Sequence, residues 1–176
     1  MSIPSEEHPI LDPTGEKCSV GQDDPNVWFL ANTPGGSVTR SCTIPDSRAL
    51  LIPVLPGECD DLSGGGNTEA EIRSCAWSGI EGAVFNLSVD GTSFSNLESY
   101  RTESPLFNLT IPENNVFGGG PVGEANASAV GYYVILEPLP VGIHQIRFTS
   151  SLIENPSLGT YVFAEDVTYN IDVRSS

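Results

Sequence analysis

Short apolar runs, separated by glycine and proline, recur along the whole chain. Three of them, Phe85–Val89, Phe107–Ile111 and Val167–Val173, place apolar residues at every second position. Such alternation is typical of strands with one buried and one solvated face. The pattern predicts an all-β fold, specifically an antiparallel β-sandwich of jelly-roll type. The runs predicted as strands are Val27–Ala31, Val38–Ile44, Ala49–Leu55, Ala83–Val89, Leu106–Ile111, Val130–Leu136, Ile143–Phe148 and Val167–Val173.

Two local signals predict a hairpin and a single helix. Asp90-Gly91 is typical of a type I′ turn, which needs positive φ at both central positions. Thr68 with Glu71 three residues later forms a capping box, and apolar residues then recur at helical spacing as far as Ile80. We therefore expect one short helix near residues 68–79.

The N-terminal stretch is rich in proline and acidic residues and shows no periodicity. We expect residues 1–17 to form an extended arm and residues 18–176 to form one domain. The first residues form a short, polar and acidic stretch, which is unlike a signal peptide. If the protein is exported, we therefore expect this sequence to be the mature form. The sequence contains no run of 18 apolar residues, so no membrane insertion is expected.

The four cysteines favour an oxidising compartment. They are widely spaced, form no Cys-x-x-Cys pair and have no histidine nearby, which disfavours a zinc site. We expect two disulfides, which makes an extracellular or cell-surface protein the favoured class. Pairing Cys18 with Cys42 and Cys59 with Cys75 closes the shortest loops, although the other two pairings stay open. A cytosolic protein with four free thiols is the alternative.

The chain is strongly acidic, with 23 acidic residues, 7 basic residues and a net charge of −16. It has no cluster of basic residues that could bind nucleic acid or an anionic membrane surface. A solvated acidic surface is one interpretation, and cation binding is another. Asp23, Asp24 and Asn26 cluster oxygen ligands beside a strand start, and they are our candidates for a structural calcium ion.

The sequence shows no motif for nucleophilic hydrolysis. A Gly-x-Ser-x-Gly elbow is absent, and only His8 and His144 could act as a histidine base. We expect His144 to be a structural residue within a strand and His8 to lie in the arm. A copper site of these two histidines would require cleavage before His8.

Carboxylates offer a second kind of catalysis, because a pair of them can cleave a glycosidic bond. Glu58, Glu113 and Glu137 are the candidates, since each is embedded in apolar or glycine-bearing sequence. Burial would raise the pKa of such a group and make it an acid. The alternative is that they form structural salt bridges with Arg40 or Arg101.

Aromatic side chains could bind a carbohydrate. Trp28, Tyr100, Tyr132 and Tyr133 are the candidates, and the two neighbouring tyrosines of one strand must face opposite sides. Core packing is the alternative for each of them. The expected binding surface is a loop-rich end of the sandwich. It would be formed by residues 60–67 and 112–128.

Several short motifs also resemble, in the same order, a group of secreted microbial β-rich proteins to which no activity is assigned. The resemblance spans roughly residues 15–173 and implies export and a single β-rich domain, but no functional residue. The motifs that carry it are Val27–Ala31, Gly35–Arg40, Cys42–Pro45, Gly57–Cys59, Tyr100–Phe107, Pro112–Asn115, Leu136–Pro140 and Gly142–Ile146.

These observations predict a secreted or cell-surface binding or structural module. A glycan is its candidate ligand, and a polysaccharide or another cell-surface component is its candidate partner. The first alternative is a secreted, carboxylate-based enzyme acting on a saccharide. The second is a filament or envelope subunit, in which the N-terminal arm pairs with the sheet edge of a neighbour.

Overall fold

The chain folds into two mixed β-sheets and one α-helix. A computed structural model describes residues 3–116, 118–152 and 163–175. The helix α1 spans Glu69–Ser78, and short 3-10 turns occupy Pro9–Leu11 and Leu97–Tyr100. The strands are β1 Val27–Phe29, β2 Gly36–Pro45, β3 Ala49–Asp60, β4 Val84–Val89, β5 Thr92–Ser93, β6 Arg101–Glu103, β7 Phe107–Ile111, β8 Gly123–Leu136, β9 Gly142–Leu152 and β10 Phe163–Arg174.

The first sheet has the order β1-β3-β8, with β6 and β7 pairing successive parts of β8. The second sheet has the order β2-β10-β9-β4-β5. Most pairs are antiparallel, but β1 runs parallel to β3 and β2 runs parallel to β10. Between β1 and β3 the chain crosses to the second sheet, forms β2 there and returns to the first sheet. As a result, β3 runs in the same direction as β1. The structure is mostly β with one α-helix, as predicted, but the sheets are mixed rather than purely antiparallel, and jelly-roll connectivity stays a prediction.

The two sheets share one hydrophobic core. Leu50 and Ile52 of β3 face Ile146 and Phe148 of β9, and all four side chains are fully buried. The alternating residues of β10 are buried as the sequence pattern predicted, because period two directs every second side chain towards the opposite sheet. They are Val167, Tyr169, Ile171 and Val173.

Helix α1 covers the end of the first sheet. The Thr68 hydroxyl accepts a hydrogen bond from the Glu71 amide, and the Glu71 carboxylate accepts one from the Thr68 amide, which confirms the capping box. The helix packs closely on β3, since a Cβ added at Gly57 would lie 2.3 Å from the Ala76 carbonyl oxygen. Only glycine permits that approach. Within the described residues, no helix is long and apolar enough to cross a membrane.

The two disulfides pair Cys18 with Cys42 and Cys59 with Cys75, which are the predicted pairs. The first ties the segment after the arm to β2, and the second ties α1 to β3. Two disulfides are typical of an extracellular protein. They also close loops in the unfolded chain, so each is expected to stabilise the fold.

Two strand boundaries differ from the prediction. Residues 112–128 were expected to belong to a loop-rich end, but β8 already begins at Gly123. Similarly, β3 continues beyond Leu55 to Asp60. Small and polar residues dominate both extensions, so their apolar alternation is weak. They are nevertheless strands because they pair with each other, with Asp60 opposite Ala127. The Asp90-Gly91 hairpin is confirmed, with φ of 49° and 77° at the two positions.

The N-terminal arm is held by Arg40, whose side chain is only 1% exposed. The guanidinium donates hydrogen bonds on all sides, to the carbonyl oxygens of Ile10, Asp12, Ala31 and Asn32 and to the hydroxyl of Tyr169. The arm therefore packs on its own chain. The predicted pairing of the arm with a neighbouring molecule gains no support from this arrangement.

Candidate functional site

A cleft of about 650 Å³ opens beside the free edge of β3. Strand β1 pairs with β3 only at Ala49–Leu51, so in the described part of the chain the edge beyond these residues has no partner strand. The segment Pro56–Cys59 of that edge forms one wall, and α1 flanks it. The N-terminal arm and Asn32–Pro34 form the opposite wall. Small-molecule sites typically occupy about 300–1,000 Å³, and this cleft falls in that range.

Most of the cleft lining is apolar. The disulfide between Cys59 and Cys75 lies in the lining, which fixes α1 against β3 at this point. Gly79, the C-cap of α1, leaves open space because it carries no side chain. The aliphatic residues of the lining are Ile10, Leu11, Ala76, Ile80 and Val116.

Glu58 is the acidic residue of this lining. Its Oε1 atom is buried and has no hydrogen-bond partner among the described residues. Burial, and secondly the negative charge of Asp60, raise the pKa of Glu58 to about 7. Loss of water around a carboxyl group disfavours its charged form, and a nearby like charge disfavours it further. Glu58 is therefore poised between its neutral and charged forms near neutral pH.

His8 and Tyr133 are neutral neighbours of this site. Burial lowers the pKa of His8 to about 4, and its Nδ1 accepts a hydrogen bond of 3.2 Å from the Ile10 amide. Burial, and secondly the charge of Glu58, raise the pKa of Tyr133 to about 12. Neither side chain supplies a positive charge at pH 7. His8 was expected to lie in the arm, and from there it lines the cleft.

The basic residues of the protein are all engaged elsewhere. The chain has 7 lysines and arginines, and within the described residues none forms an ion pair with Glu58. Lys17, Arg40 and Arg48 donate hydrogen bonds to backbone carbonyl oxygens, those of Glu6 for Lys17, Asp12 for Arg40 and Gln22 for Arg48. The other four arginines contact carboxylates, namely Glu69 for Arg73, Glu103 for Arg101, Asp166 for Arg147 and Asp172 for Arg174. The predicted salt bridges of the candidate glutamates with Arg40 or Arg101 are therefore not formed.

The structure does not bring the three candidate glutamates together. Glu113 is exposed just after β7, and Glu137 is exposed just after the end of β8. Glu58 lies opposite Ala129 on β8, eight residues before Glu137, which corresponds to about 26 Å along a strand. Paired catalytic carboxylates lie within about 10 Å of each other, so Glu58 and Glu137 cannot form such a pair.

The candidate aromatic residues do not form a shared binding face. Trp28 is buried in the core, and Arg48 lies over its ring. Tyr132 packs on Phe85 with ring centroids 4.2 Å apart, and Tyr100 is exposed at the end of a 3-10 turn. Tyr133 is partly buried near Glu58. Carbohydrate binding by these residues stays a prediction.

The candidate calcium ligands form a local turn. Asp23, Asp24 and Asn26 are exposed, and the Asp24 carboxylate accepts hydrogen bonds from the amides of Asn26 and Val27. Across the described ranges, no group of three or more histidine, cysteine, aspartate or glutamate residues could hold a metal ion. The calcium site stays a prediction.

His144 has a structural environment, as expected. Its Nδ1 lies 2.8 Å from the Asp90 carboxylate and its Nε2 lies 2.9 Å from the Pro140 carbonyl oxygen. Both partners are acceptors, so the arrangement favours a doubly protonated ring. The hydrogen bond to Asp90 raises the pKa of His144 above its usual value. This side chain links the β4–β5 turn to the connection before β9.

The role of Arg40 was not predicted, although the sequence carries a signal for it. On β2, Arg40 alternates with Cys42 and Ile44, so period two places all three on the buried face. A buried arginine requires acceptors, and the arm and the β1–β2 connection supply them.

No protein-family model and no curated protein matches the sequence. Two solved structures are similar to the chain. A structure of PbICP-C in complex with falcipain-2 is 14% identical, with 85% of this chain and 99% of that chain covered and a TM-score of 0.29. A solution structure of Amebosin is 12% identical, with 86% and 100% covered and a TM-score of 0.23. No conclusion about fold or function rests on likenesses this weak.

Proposed function

We propose that this protein is an exported binding module whose ligand occupies the cleft beside Glu58. The observation that carries the proposal is a partly buried carboxyl group, with one oxygen that lacks a partner, in the wall of an apolar cleft of about 650 Å³. Buried polar atoms are almost always hydrogen-bonded, so an exception calls for an explanation. The Oε1 atom itself is closed off from solvent, so a ligand in the cleft would meet the carboxyl group on its accessible side and stabilise its charged form.

The rigid surroundings of the cleft favour binding without a large rearrangement. The disulfide between Cys59 and Cys75 fixes one wall, and the Arg40 hydrogen bonds fix the arm on the other. In a preformed site, little conformational entropy of the protein is lost when the ligand binds. A soluble oligosaccharide remains a candidate ligand, and a polysaccharide or other cell-surface component remains its candidate source.

The test is to fill the cleft with a side chain. A Cβ at Gly79 would make only an ordinary contact, at 3.7 Å from the Ala76 carbonyl oxygen, so Gly79→Phe should fold normally. Ser74→Phe, at an exposed position on the same helix outside the cleft lining, is the matched control. A panel of soluble oligosaccharides and small amines, titrated by NMR, should contain ligands that Gly79→Phe loses and Ser74→Phe retains. A complete panel without binding, or binding unaffected by Gly79→Phe, would contradict the proposal.

A second candidate function is catalysis by Glu58 on a saccharide. The observation in its favour is the pKa of Glu58, since a general acid works best when its pKa is near the working pH. Release of soluble sugar from a polysaccharide panel, abolished in Glu58→Gln but retained in Glu113→Gln and Glu137→Gln, would establish it. No release from any substrate would remove this candidate.

A further inference from the structure

The cleft contains a carboxyl group without a cationic partner from any lysine or arginine. All seven of these residues are held by other groups, and Arg40 directs its donors at carbonyl oxygens and at Tyr169. His8, the histidine of the lining, is neutral at pH 7. A charged carboxylate that is partly removed from water is unfavourable unless it is paired. The amino-terminal charge of the chain acts on Glu58, but the pKa stays raised at about 7, so Glu58 still requires a proton or the cation of a ligand.

We propose that the ligand of this cleft is a small organic cation, namely a primary amine attached to an apolar body, with Glu58 as its counter-charge. This inference rests on the proposed binding function and names its ligand class. The ammonium group would donate a charge-assisted hydrogen bond to the Glu58 carboxylate, which is stronger than a bond between neutral groups. The apolar body would pack on the aliphatic walls formed by Ile10, Ala76 and Ile80. The net charge of −16 would attract such a cation at long range.

Binding of an amine is coupled to proton release. The free protein holds Glu58 partly protonated at pH 7, and the ammonium group requires the charged carboxylate, so the carboxyl proton passes to solvent. The apparent affinity then follows the charged fraction of Glu58, which rises about tenfold between pH 6 and pH 8 for a pKa of about 7. The affinity of an amine should increase by the same factor.

The side chains of His8 and Tyr133 should not produce this change. His8 from the arm has its pKa near 4 and Tyr133 from β8 has its pKa near 12, so neither changes charge between pH 6 and pH 8. Asp60 on the same strand raises the pKa of Glu58, and the amino-terminal charge of the chain lowers it. Glu58→Gln separates these influences from Glu58 itself, because it keeps the shape and removes the charge.

The experiment compares three probes of nearly equal shape, benzylamine, benzyl alcohol and benzoate, by NMR titration of the full chain. We expect benzylamine to bind about tenfold or more tightly than benzyl alcohol at pH 8, and benzoate to bind most weakly. Glu58→Gln should abolish the preference for the amine and its dependence on pH. Gly79→Phe should block both, and Ser74→Phe should block neither.

Two results would overturn the inference in distinguishable ways. Equal affinity for the amine and the alcohol, with both lost in Gly79→Phe, would reject the cation and leave the binding cleft standing. Binding of none of the three probes would also reject the cation. In that case, oligosaccharide binding that is sensitive to Gly79→Phe would preserve the proposed function, and its absence would reject both.

Discussion

Arg40 and Glu58 are both ionisable side chains that are removed from water, but they differ in their hydrogen-bond partners. Arg40 is almost completely buried, and its guanidinium meets four carbonyl oxygens and one hydroxyl. Glu58 is partly buried, and its Oε1 meets no donor in the described part of the structure. A fully satisfied charge fixes a structure, whereas an unsatisfied one marks a place where a partner is missing. Arg40 therefore stabilises the fold, and Glu58 lies where we propose that a ligand binds.

Replacing Arg40 should produce the largest effect. Arg40→Met would leave several buried carbonyl oxygens and the Tyr169 hydroxyl with fewer donors, and it should reduce the free energy of unfolding by about 3–5 kcal/mol. Arg174→Met, which removes an exposed ion pair with Asp172, is the matched control and should change stability little. Urea unfolding measures both. Equal losses in the two variants would remove the distinction between a structural and a surface arginine.

Removing either disulfide should have the next largest effect. Replacing both cysteines of a pair by serine should lower the free energy of unfolding by about 3 kcal/mol, because each bridge closes a loop of moderate length. The two variants should differ in binding. Loss of Cys59–Cys75 should weaken ligand binding in the cleft, whereas loss of Cys18–Cys42 should leave it nearly unchanged under conditions where both variants are folded. A reversed order of binding losses would contradict the placement of the site.

Glu58→Gln should have a smaller effect on stability, and its sign should depend on pH. The folded-state pKa of Glu58 is raised from 4.5 to about 7, so the proton favours folding below pH 4.5 and this benefit is lost as the pH rises through 7. Glu58→Gln should therefore match the wild type at pH 4 and exceed its stability at pH 8. Because the carboxyl group is only partly buried, solvent screening limits the gain to about 1 kcal/mol. Urea unfolding at both pH values tests this, and a less stable variant at pH 8 would contradict an unpaired Glu58.

The two histidines should show the smallest effect, as opposite shifts in their pKa values. NMR titration should give His8 a pKa near 4 and His144 a pKa above 6.5. The stabilising contact of His144 with Asp90 is present below pH 6.5 and is lost as the pH rises through the raised pKa. Asp90→Asn, which can keep the positive φ of this turn, should lower the pKa of His144 and leave that of His8 unchanged. Unshifted values for both histidines would contradict these environments.

Local features of the fold were predictable from the sequence, and long-range ones were not. Thr68 with Glu71 predicted the helix, and Asp90-Gly91 predicted the hairpin, because these motifs act within a few residues. The parallel pairing of β1 with β3 depends on a crossing between sheets that no local pattern encodes. The alternation on β2 placed Arg40 on the buried face, but its acceptors come from segments distant in the chain.

The candidate site was predictable only in part, for the same reason. The sequence alone did not separate Glu58 from Glu113 and Glu137 as candidates, whereas burial distinguishes Glu58 from the two exposed residues. Burial is a property of the assembled fold. The cleft itself depends on β1 being too short to cover β3, and on the arm being held opposite by Arg40. Neither condition can be derived from the residues around Glu58.

The most direct test of the account is the pKa of the Glu58 carboxyl group, measured by carbon-detected NMR in the free protein. We expect a titration midpoint of about 7, and a lower midpoint when benzylamine is bound. A midpoint near 4.5 in the free protein would show that Glu58 is solvated or paired, and it would contradict the claim that the cleft contains an unsatisfied charge.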